Sequence, residues 1–490
     1  MVPEPLAISL REAKPPLVLA LDVGTSGLRA FIFDSRARPI RSCIAAVDHA
    51  VRTSSTGEAS VDADERLRDA ATAIDAVLAR AGRRAGQIVA VGVSTFWHSL
   101  VGVDAHGRPT TRVLTWADTR PRGASAALRS ELDEEAVHRR TGCRLHASYL
   151  PAKLRYLREA EPDAYARTVW WGSLGEYLFL RLFGERRAGH GMASATGLYD
   201  QRRREWDGAL VAHLGLGERV LSPIDDAAQA GLRPAFARRW PALAQVPWLP
   251  ALGDGACSNV GAGAVRRDVA ALMLGTSGAI RVCYEGDDPP VVPGGWTYRL
   301  DRRRIVAGGA LSNAGNVLTW LRRTFPTVDP AVAARRPVGA HELTAIPLLA
   351  GDRSPTWNDG ARAAVAGIGL GTSGEDIVAR VARLWELVTA ALPGIDRVIV
   401  TGGAALGAPW LMQLCADAIG RAAVMSAAGE GSARGAAITA LERVGAIARL
   451  DAVPSPLGRA YRPRAASRAR LLEEVERQRR LEARMFEIGR

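Results

Sequence analysis

The chain has 490 residues, 48% of them hydrophobic, and a formal net charge of +13. That length exceeds one ordinary core and points to two domains of roughly 200–250 residues each. No run of about 18 uncharged apolar residues appears, which argues against a membrane-spanning helix and a membrane partner.

The five cysteines (Cys43, Cys143, Cys257, Cys283 and Cys415) are odd in number, scattered and free of CxxC spacing. They fit a reducing cytoplasm and argue against a disulfide framework or a zinc site. The opening MVPEPLAISLREAKPP is too polar and proline-rich for a secretory signal, which also points to the cytoplasm. The basic excess is almost all arginine; Lys14 and Lys153 are the only lysines. Short clusters such as Arg202–Arg204 and Arg302–Arg304 read as solvated surface, not as a nucleic-acid interface. An anionic small molecule would also benefit from the positive field.

Taken in order, Leu17 to Leu21 is an apolar run with the character of a buried strand, followed by Asp22, a turn at Gly24–Gly27 and a second apolar run from Leu28 to Phe33. Glycines let this turn approach a ligand closely, and Thr25 and Ser26 add hydroxyl donors. A carboxylate at the mouth of such a turn can hold a cation, directly or through water, so the turn suits a metal-bound polyphosphate. Residues 40–51 read as a third strand of an antiparallel meander, 63–81 as a helix, and 88–95 as another buried strand. A dinucleotide fold would put its glycine-rich turn between a strand and a helix. The order seen here is that of actin-like, ribonuclease-H-like α/β domains.

Two polar groups follow. Trp97 and His98 sit at the end of the 88–95 strand, and Trp116, Asp118 and Arg120 fall in a short loop-like segment. His98 could be a structural histidine, and Asp118 with Arg120 a surface ion pair. Their clustering with aromatic rings near strand ends also fits a pocket that packs a polyol on rings and holds its hydroxyls. Residues 151–250 read as mainly helical, with AGHGMASATGLYD as a loop. In LPALGDGACSNVGAGAV, Asp254 stands between glycines, with Asn259 five residues on. Asp254 could be an ordinary turn residue, or a general base at the domain junction.

The strand–GTSG–strand unit then recurs at 270–284, half a chain later, suggesting a duplicated domain across a cleft; Asp22 of the first copy becomes Met273 in the second. Strands are expected at 269–274, 279–284 and near 305–307, with GGALSNAGNVLTWLRRTF as a glycine-rich helix entry suited to phosphate. A third GTSG, at 371–374, has capping-box spacing and reads as a helix start. GDRSPTWND at 351–359 is a polar turn segment at the cleft rim, and RVIVTGGAALGAPWL a strand and glycine loop for a base or ribose. Residues 431–448 read as helical, and the tail from Arg468 as an amphipathic helix packed on the body.

In their order and spacing, DVGTSG, the Trp97–His98 pair, WADTR, GDGACSN, LGTSG, GGALSNAGN, GDRSPTWN, TGGAALGAPWL and EGSARGAA resemble the FGGY carbohydrate kinases of the actin/hexokinase/Hsp70 superfamily, from about Leu17 to about Ala448. The resemblance implies two actin-like domains, 1–260 for the sugar and 261–490 for most nucleotide contacts, using ATP and Mg2+. It implies Asp254 as the base, Asp22 and Asp254 as magnesium-holding carboxylates, and Gly24, Thr25 and Ser26 near the transferred phosphate. Gly275, Thr276 and Gly278 would form a second phosphate loop, Gly315 and Thr319 would lie along the nucleotide, and Gly402, Gly403 and Ala404 would line the adenosine side. Trp97, His98, Trp116, Asp118, Asn259 and Asp254 itself would face the sugar.

Phe96 and Trp97 stand where relatives often carry Gln-Met, and Ser99 where they carry glycine, which bears on the substrate and not on the chemistry. The DGACSN string resembles gluconokinase-type members, so a sugar acid such as gluconate comes first and a pentulose (xylulose or ribulose) second. A homodimer is left open as the assembly. The rivals from other classes are a non-catalytic sugar or nucleotide sensor on this fold, and an ATPase that drives a conformational partner.

Overall fold

The computed structural model describes residues 6–217, 220–324, 344–349, 351–358, 360–366 and 377–488. Its first sheet is built from β1 (Leu17–Val23), β2 (Gly27–Phe33) and β3 (Pro39–Asp48), then β4 (Ile88–Thr95) after helix α1 (Ala63–Ala81), and finally the short β5 (Leu252–Gly253). The strand order is β5-β4-β1-β2-β3, with β1 antiparallel to β2 and parallel to β4. Every residue of β1 except Asp22 is buried, as its unbroken apolar run requires of a central strand. Helix α1 is capped by Asp62, whose side chain accepts from the Glu65 N–H, and it turns its alanine-rich face to the sheet.

The second sheet repeats that wiring. Strands β6 (Val269–Leu274), β7 (Gly278–Glu285), β8 (Trp296–Arg299) and β9 (Arg304–Leu311) lead into helix α3 (Gly315–Thr324). After α4 (Ile377–Ala391) come β10 (Arg397–Thr401), α5 (Pro409–Ile419), β11 (Ala423–Ser426), α6 (Gly431–Arg443), β12 (Leu457–Tyr461) and α7 (Ala465–Ile488). The order is β8-β9-β7-β6-β10-β11-β12, with β6 antiparallel to β7 and parallel to β10. Removing the edge strands β8 and β12 leaves the five-strand order of the first sheet, so the chain carries two actin-like α/β sheets of like wiring, as the repeated motif predicts.

Helix α2 (Asp254–Ala262) follows β5 and packs against α6, which in turn packs on β1 and β4 of the first sheet. The two helices approach to backbone contact: a Cβ on Gly435 would lie 1.9 Å from the Cys257 carbonyl oxygen, so a side chain there would push them apart. The expected division at 260/261 falls inside α2.

Several expectations are corrected here. Asp254 begins a helix instead of sitting in a turn, because Gly253 takes the extended N-cap conformation just before it. The stretch expected as a loop at 188–200 contains a four-residue helix at His190–Ala193 and a strand at Tyr199–Asp200 paired with Glu205–Trp206. Strand β8 was not expected, since Trp-Thr-Tyr-Arg is only four residues long, although all four are buried. The GTSG at 371–374 lies outside the described residues. Helix α7 packs on the body through buried Leu471 and Val475, which join the second core.

Candidate active site

Strands β1, β4 and β5 are mutually parallel and end at one edge, where open α/β sheets bind ligands. Asp22 is registered against Ser94 of β4, and Leu252 of β5 meets the same Ser94 from the other side. Asp22 and Asp254 therefore flank the end of β4. Burial, and then the charge of Asp254, push the Asp22 carboxyl up to about 7, with Ser94 and Arg29 acting the other way. Burial also raises Asp254, opposed by the Arg281 guanidinium and by the backbone N–H groups of Gly255 and Trp97.

Asp254 borders a cavity of about 230 Å³ whose lining also includes Thr25, Trp97, His98 and Trp116, whereas Asp22 stands outside that lining. His98 has φ +62°, and its ring sits 2.7 Å from the Ala195 carbonyl through Nδ1, which must donate there and leaves Nε2 as an acceptor. Burial, followed by the charges of Arg353, Lys153 and His146, holds this imidazole well below the ordinary histidine range, so it is neutral. Trp116 donates its indole N–H to Thr25 Oγ1 at 3.0 Å and lies 4.7 Å beneath the Arg353 guanidinium. Lys153, fully buried, donates from one ammonium to the carbonyls of His98, Leu114 and Thr115, and burial pushes it down to about 7.

Two residues expected on the sugar side are spent elsewhere. The Asp118 carboxylate accepts from Arg120 Nη2 at 2.6 Å and Nε at 3.0 Å and from the Ala59 N–H, and it is absent from the cavity lining. Asn259 is buried behind Arg281, with Oδ1 accepting from Arg281 Nε at 3.2 Å and Nδ2 donating to the Arg281 carbonyl at 3.1 Å. Each positions an arginine or a loop instead of lining the pocket.

The sequence reading missed much of the opposite wall. Arg281, Trp296, Tyr298, Arg353 and Trp357 come from the second half of the chain and line the same cavity, as do Ser148 and Tyr149 from the first. Trp296 and Tyr298 stack at 4.2 Å and 5°, and the Tyr298 and Tyr149 hydroxyls meet at 2.6 Å across the two halves. The polar turn at 351–358 was the one available signal, and it does reach the cleft.

A second cavity, of about 410 Å³, brings together Gly275, Thr276, Gly315, Thr319 and Gly403, with Leu318 and Arg322 beside them. The N–H of Gly315 donates to the Gly275 carbonyl at 2.8 Å, so the turn after β6 is tied to the start of α3. Gly402, at φ +101°, and Ala404 flank Gly403 in the chain. Gly278 lies on the other side: Gly275 and Thr276 line this cavity, whereas Ser277 and Gly278 line the one holding Asp254. One four-residue turn thus separates the two spaces. On the first turn, Gly24 donates its N–H to the Gly27 carbonyl at 2.9 Å, and Ser26 is exposed.

The FGGY family of carbohydrate kinases matches through its N-terminal domain over residues 17–261 and its C-terminal domain over 270–442. A gluconokinase of Bacillus subtilis (strain 168) is 26% identical over 475 residues, 91% of each chain. A gluconate kinase from Lactobacillus acidophilus shares the fold with a TM-score of 0.88 at 21% identity, covering 96% of this chain and 98% of that one. A xylulose kinase from Rhodospirillum rubrum does so with a TM-score of 0.87 at 21% identity, covering 96% and 99%. No helix among the described residues is long and apolar enough to cross a membrane. With both halves matched and the paired hairpins facing one cleft, this chain belongs to the FGGY family of carbohydrate kinases, phosphotransferases that use ATP.

Proposed function

We propose that the protein transfers the γ-phosphate of ATP to a hydroxyl of a sugar acid, gluconate first, with Asp254 as the base. The observation that carries this reading is the presence of two guanidinium groups, Arg281 and Arg353, in the lining of the cavity that also holds Asp254. A neutral polyol needs no such charge, whereas a carboxylate is matched by it. Similarity to a gluconokinase over 91% of both chains supports the same choice.

In this reading the cavity holds the sugar, with His98 Nε2 accepting from one hydroxyl and the aromatic rings packing its carbon faces. The nucleotide occupies the space at Gly275, Thr276, Gly315, Thr319 and Gly403, with Gly402 and Ala404 toward the adenosine. Its γ-phosphate points across the turn at Gly275–Gly278 toward Thr25 and Ser26. As the sugar oxygen attacks phosphorus, its proton passes to the Asp254 carboxylate, the bond to the β-phosphate oxygen breaks, and ADP leaves. Little covalent work falls to the protein; alignment and exclusion of water supply most of the effect.

Magnesium fits the residues present. Asp22 and Asp254 would hold it with the phosphates, and a cation would offset the burial and the Asp254 charge that together raise Asp22. The described residues contain no group of three or more His, Cys, Asp or Glu side chains suited to a metal, in keeping with an ion that takes several ligands from phosphate and water. When bound, such an ion screens the phosphate charge.

A coupled ADP-release screen against gluconate, xylulose, ribulose and glycerol tests the substrate. Gluconate should give the highest kcat/KM. A preference for a ketopentose would put the pentulose reading first, which the uncharged aromatic lining at Trp116, Trp296, Tyr298 and Trp357 favours. Rapid ATP hydrolysis without sugar would favour the ATPase, and binding without turnover the sensor. Asp254→Asn should lower turnover by roughly 10²–10⁴ with nucleotide affinity little changed; unimpaired phosphorylation by that variant would overturn the base assignment.

A further inference from the structure

Both glycines beside Asp254 face one side chain. A Cβ built on Gly253 would lie 1.9 Å from Cε2 and Nε1 of Trp97, and one on Gly255 would lie 2.5 Å from Trp97 Cζ3. Contacts that short cannot exist, so the indole must lie across the Gly253–Asp254–Gly255 segment. The backbone itself does not demand glycine there. Gly253 has φ −71° and ψ 134°, open to any residue, and Gly255 is an ordinary helical position in α2.

The indole has nowhere to retreat. Trp97 is 6% exposed, and its Nε1 donates to the Gly191 carbonyl at 3.1 Å. Its far side meets Tyr298 edge-on at 5.0 Å and Trp296 at 6.1 Å, the two rings that stack on each other in the wall from β8. The ring is therefore wedged between the start of α2 and the second half of the chain. The backbone N–H of the same residue acts on the Asp254 carboxylate, which also takes the Gly255 N–H at 2.7 Å.

We propose that Trp97 is the positioning residue for Asp254: its indole clamps the glycine-flanked start of α2 against the aromatic wall and so fixes where the carboxylate stands over the sugar. The inference rests on Asp254 as the base and goes beyond it. Trp97 then acts chiefly through the base and only secondarily as a surface for the sugar. The glycines of GDG are present because the indole occupies the space a side chain would need.

A double-mutant cycle tests this, with kcat measured well below the melting temperature alongside the ATP KM and the sugar dissociation constant. Gly253→Ala alone should lower kcat by about 10²-fold, since a displacement near 1 Å at a reacting group costs that much. Trp97→Met, whose flexible chain leaves room above the glycines, should lower kcat by about 10-fold. Adding Gly253→Ala to Trp97→Met should then cost less than about 2-fold. In all three the ATP KM should stay within about 2-fold, a split that general loss of structure would not give. An equal cost of Gly253→Ala in both backgrounds, or a fully active Gly253→Ala, would overturn the proposal. Should Gly253→Ala yield no soluble protein, Gly255→Ala with Trp97→Met reads the same coupling. Asp254→Asn run in parallel separates the two ideas: full activity there removes the base, while the cycle still reports whether the indole sets the start of α2.

Discussion

The indole N–H of Trp116 and the hydroxyl of Thr25 meet at 3.0 Å, so the turn after β1 and the aromatic wall at Trp116 share one hydrogen bond. A neutral bond of this kind is worth about 1 kcal/mol net, or roughly 3–10-fold in an equilibrium or a rate. Trp116→Phe and Thr25→Val should each lower kcat/KM, and the double variant should be no worse than the poorer single one. Strictly additive losses in steady-state kinetics would show that the bond does not couple the two.

Lys153 is one of two lysines in the chain, and the carbonyls it serves belong to His98, Leu114 and Thr115. Three donors radiating from one atom suit three converging carbonyls; the planar fork of arginine does not. Lys153→Met should leave buried acceptors unmet, destabilise by about 2–3 kcal/mol and raise the sugar KM by roughly tenfold through the loops carrying His98 and Trp116. Lys153→Arg should not rescue it. Denaturant unfolding and sugar saturation curves on the two variants decide the matter; an unchanged sugar KM would sink the prediction.

Arg353 stands over Trp116, its Nη2 3.5 Å from Ser148 Oγ, in the lining of the cavity that holds Asp254. A charge-assisted contact to a carboxylate contributes about 1.5–3 kcal/mol. Arg353→Met should therefore reduce kcat/KM for a sugar acid by roughly 10–100-fold while changing that for an uncharged polyol by less than about threefold. Equal losses on both would argue for a structural arginine.

His138 is buried, and its surroundings, burial foremost and then the charge of Arg144, lower it to about 4. The folded state therefore resists taking up a proton that the unfolded chain accepts near pH 6.5. The sign follows: stability from this residue is fully present above about pH 6.5 and is lost as pH falls from there toward 4, by up to about 3 kcal/mol. His138→Gln should flatten the melting temperature against pH over that window. A curve as steep as that of the unsubstituted protein would remove His138 from the acid response.

Much of the scaffold is legible in the chain because it rests on local patterns. The apolar runs at Leu17–Leu21 and 269–274, each followed by GTSG and another apolar run, can only be paired strands about a close turn. Their recurrence half a chain apart dictates two like sheets. The resemblance to the FGGY kinases put Gly275, Thr276, Gly315, Thr319 and Gly403 along the nucleotide, and the structure brings those five residues to one cavity.

Side-chain destinations were not legible in that way. Asp118 and Asn259 carry the right groups for a sugar, yet one is taken by Arg120 and the other by Arg281. Arg281 and Tyr298 gave no local signal at all, because they reach the cavity only when β7 and β8 of the second half are laid against the first.

By itself the sequence determined two repeated α/β halves, the glycine turns between them and an acidic residue at the seam, because strand, turn and helix follow from the spacing of apolar and glycine residues along the chain. Tertiary structure alone decided which polar groups are left to meet a substrate. Hydrogen bonds and ion pairs between residues distant in sequence consume some candidates and expose others, and that competition is settled only once the two halves close on each other.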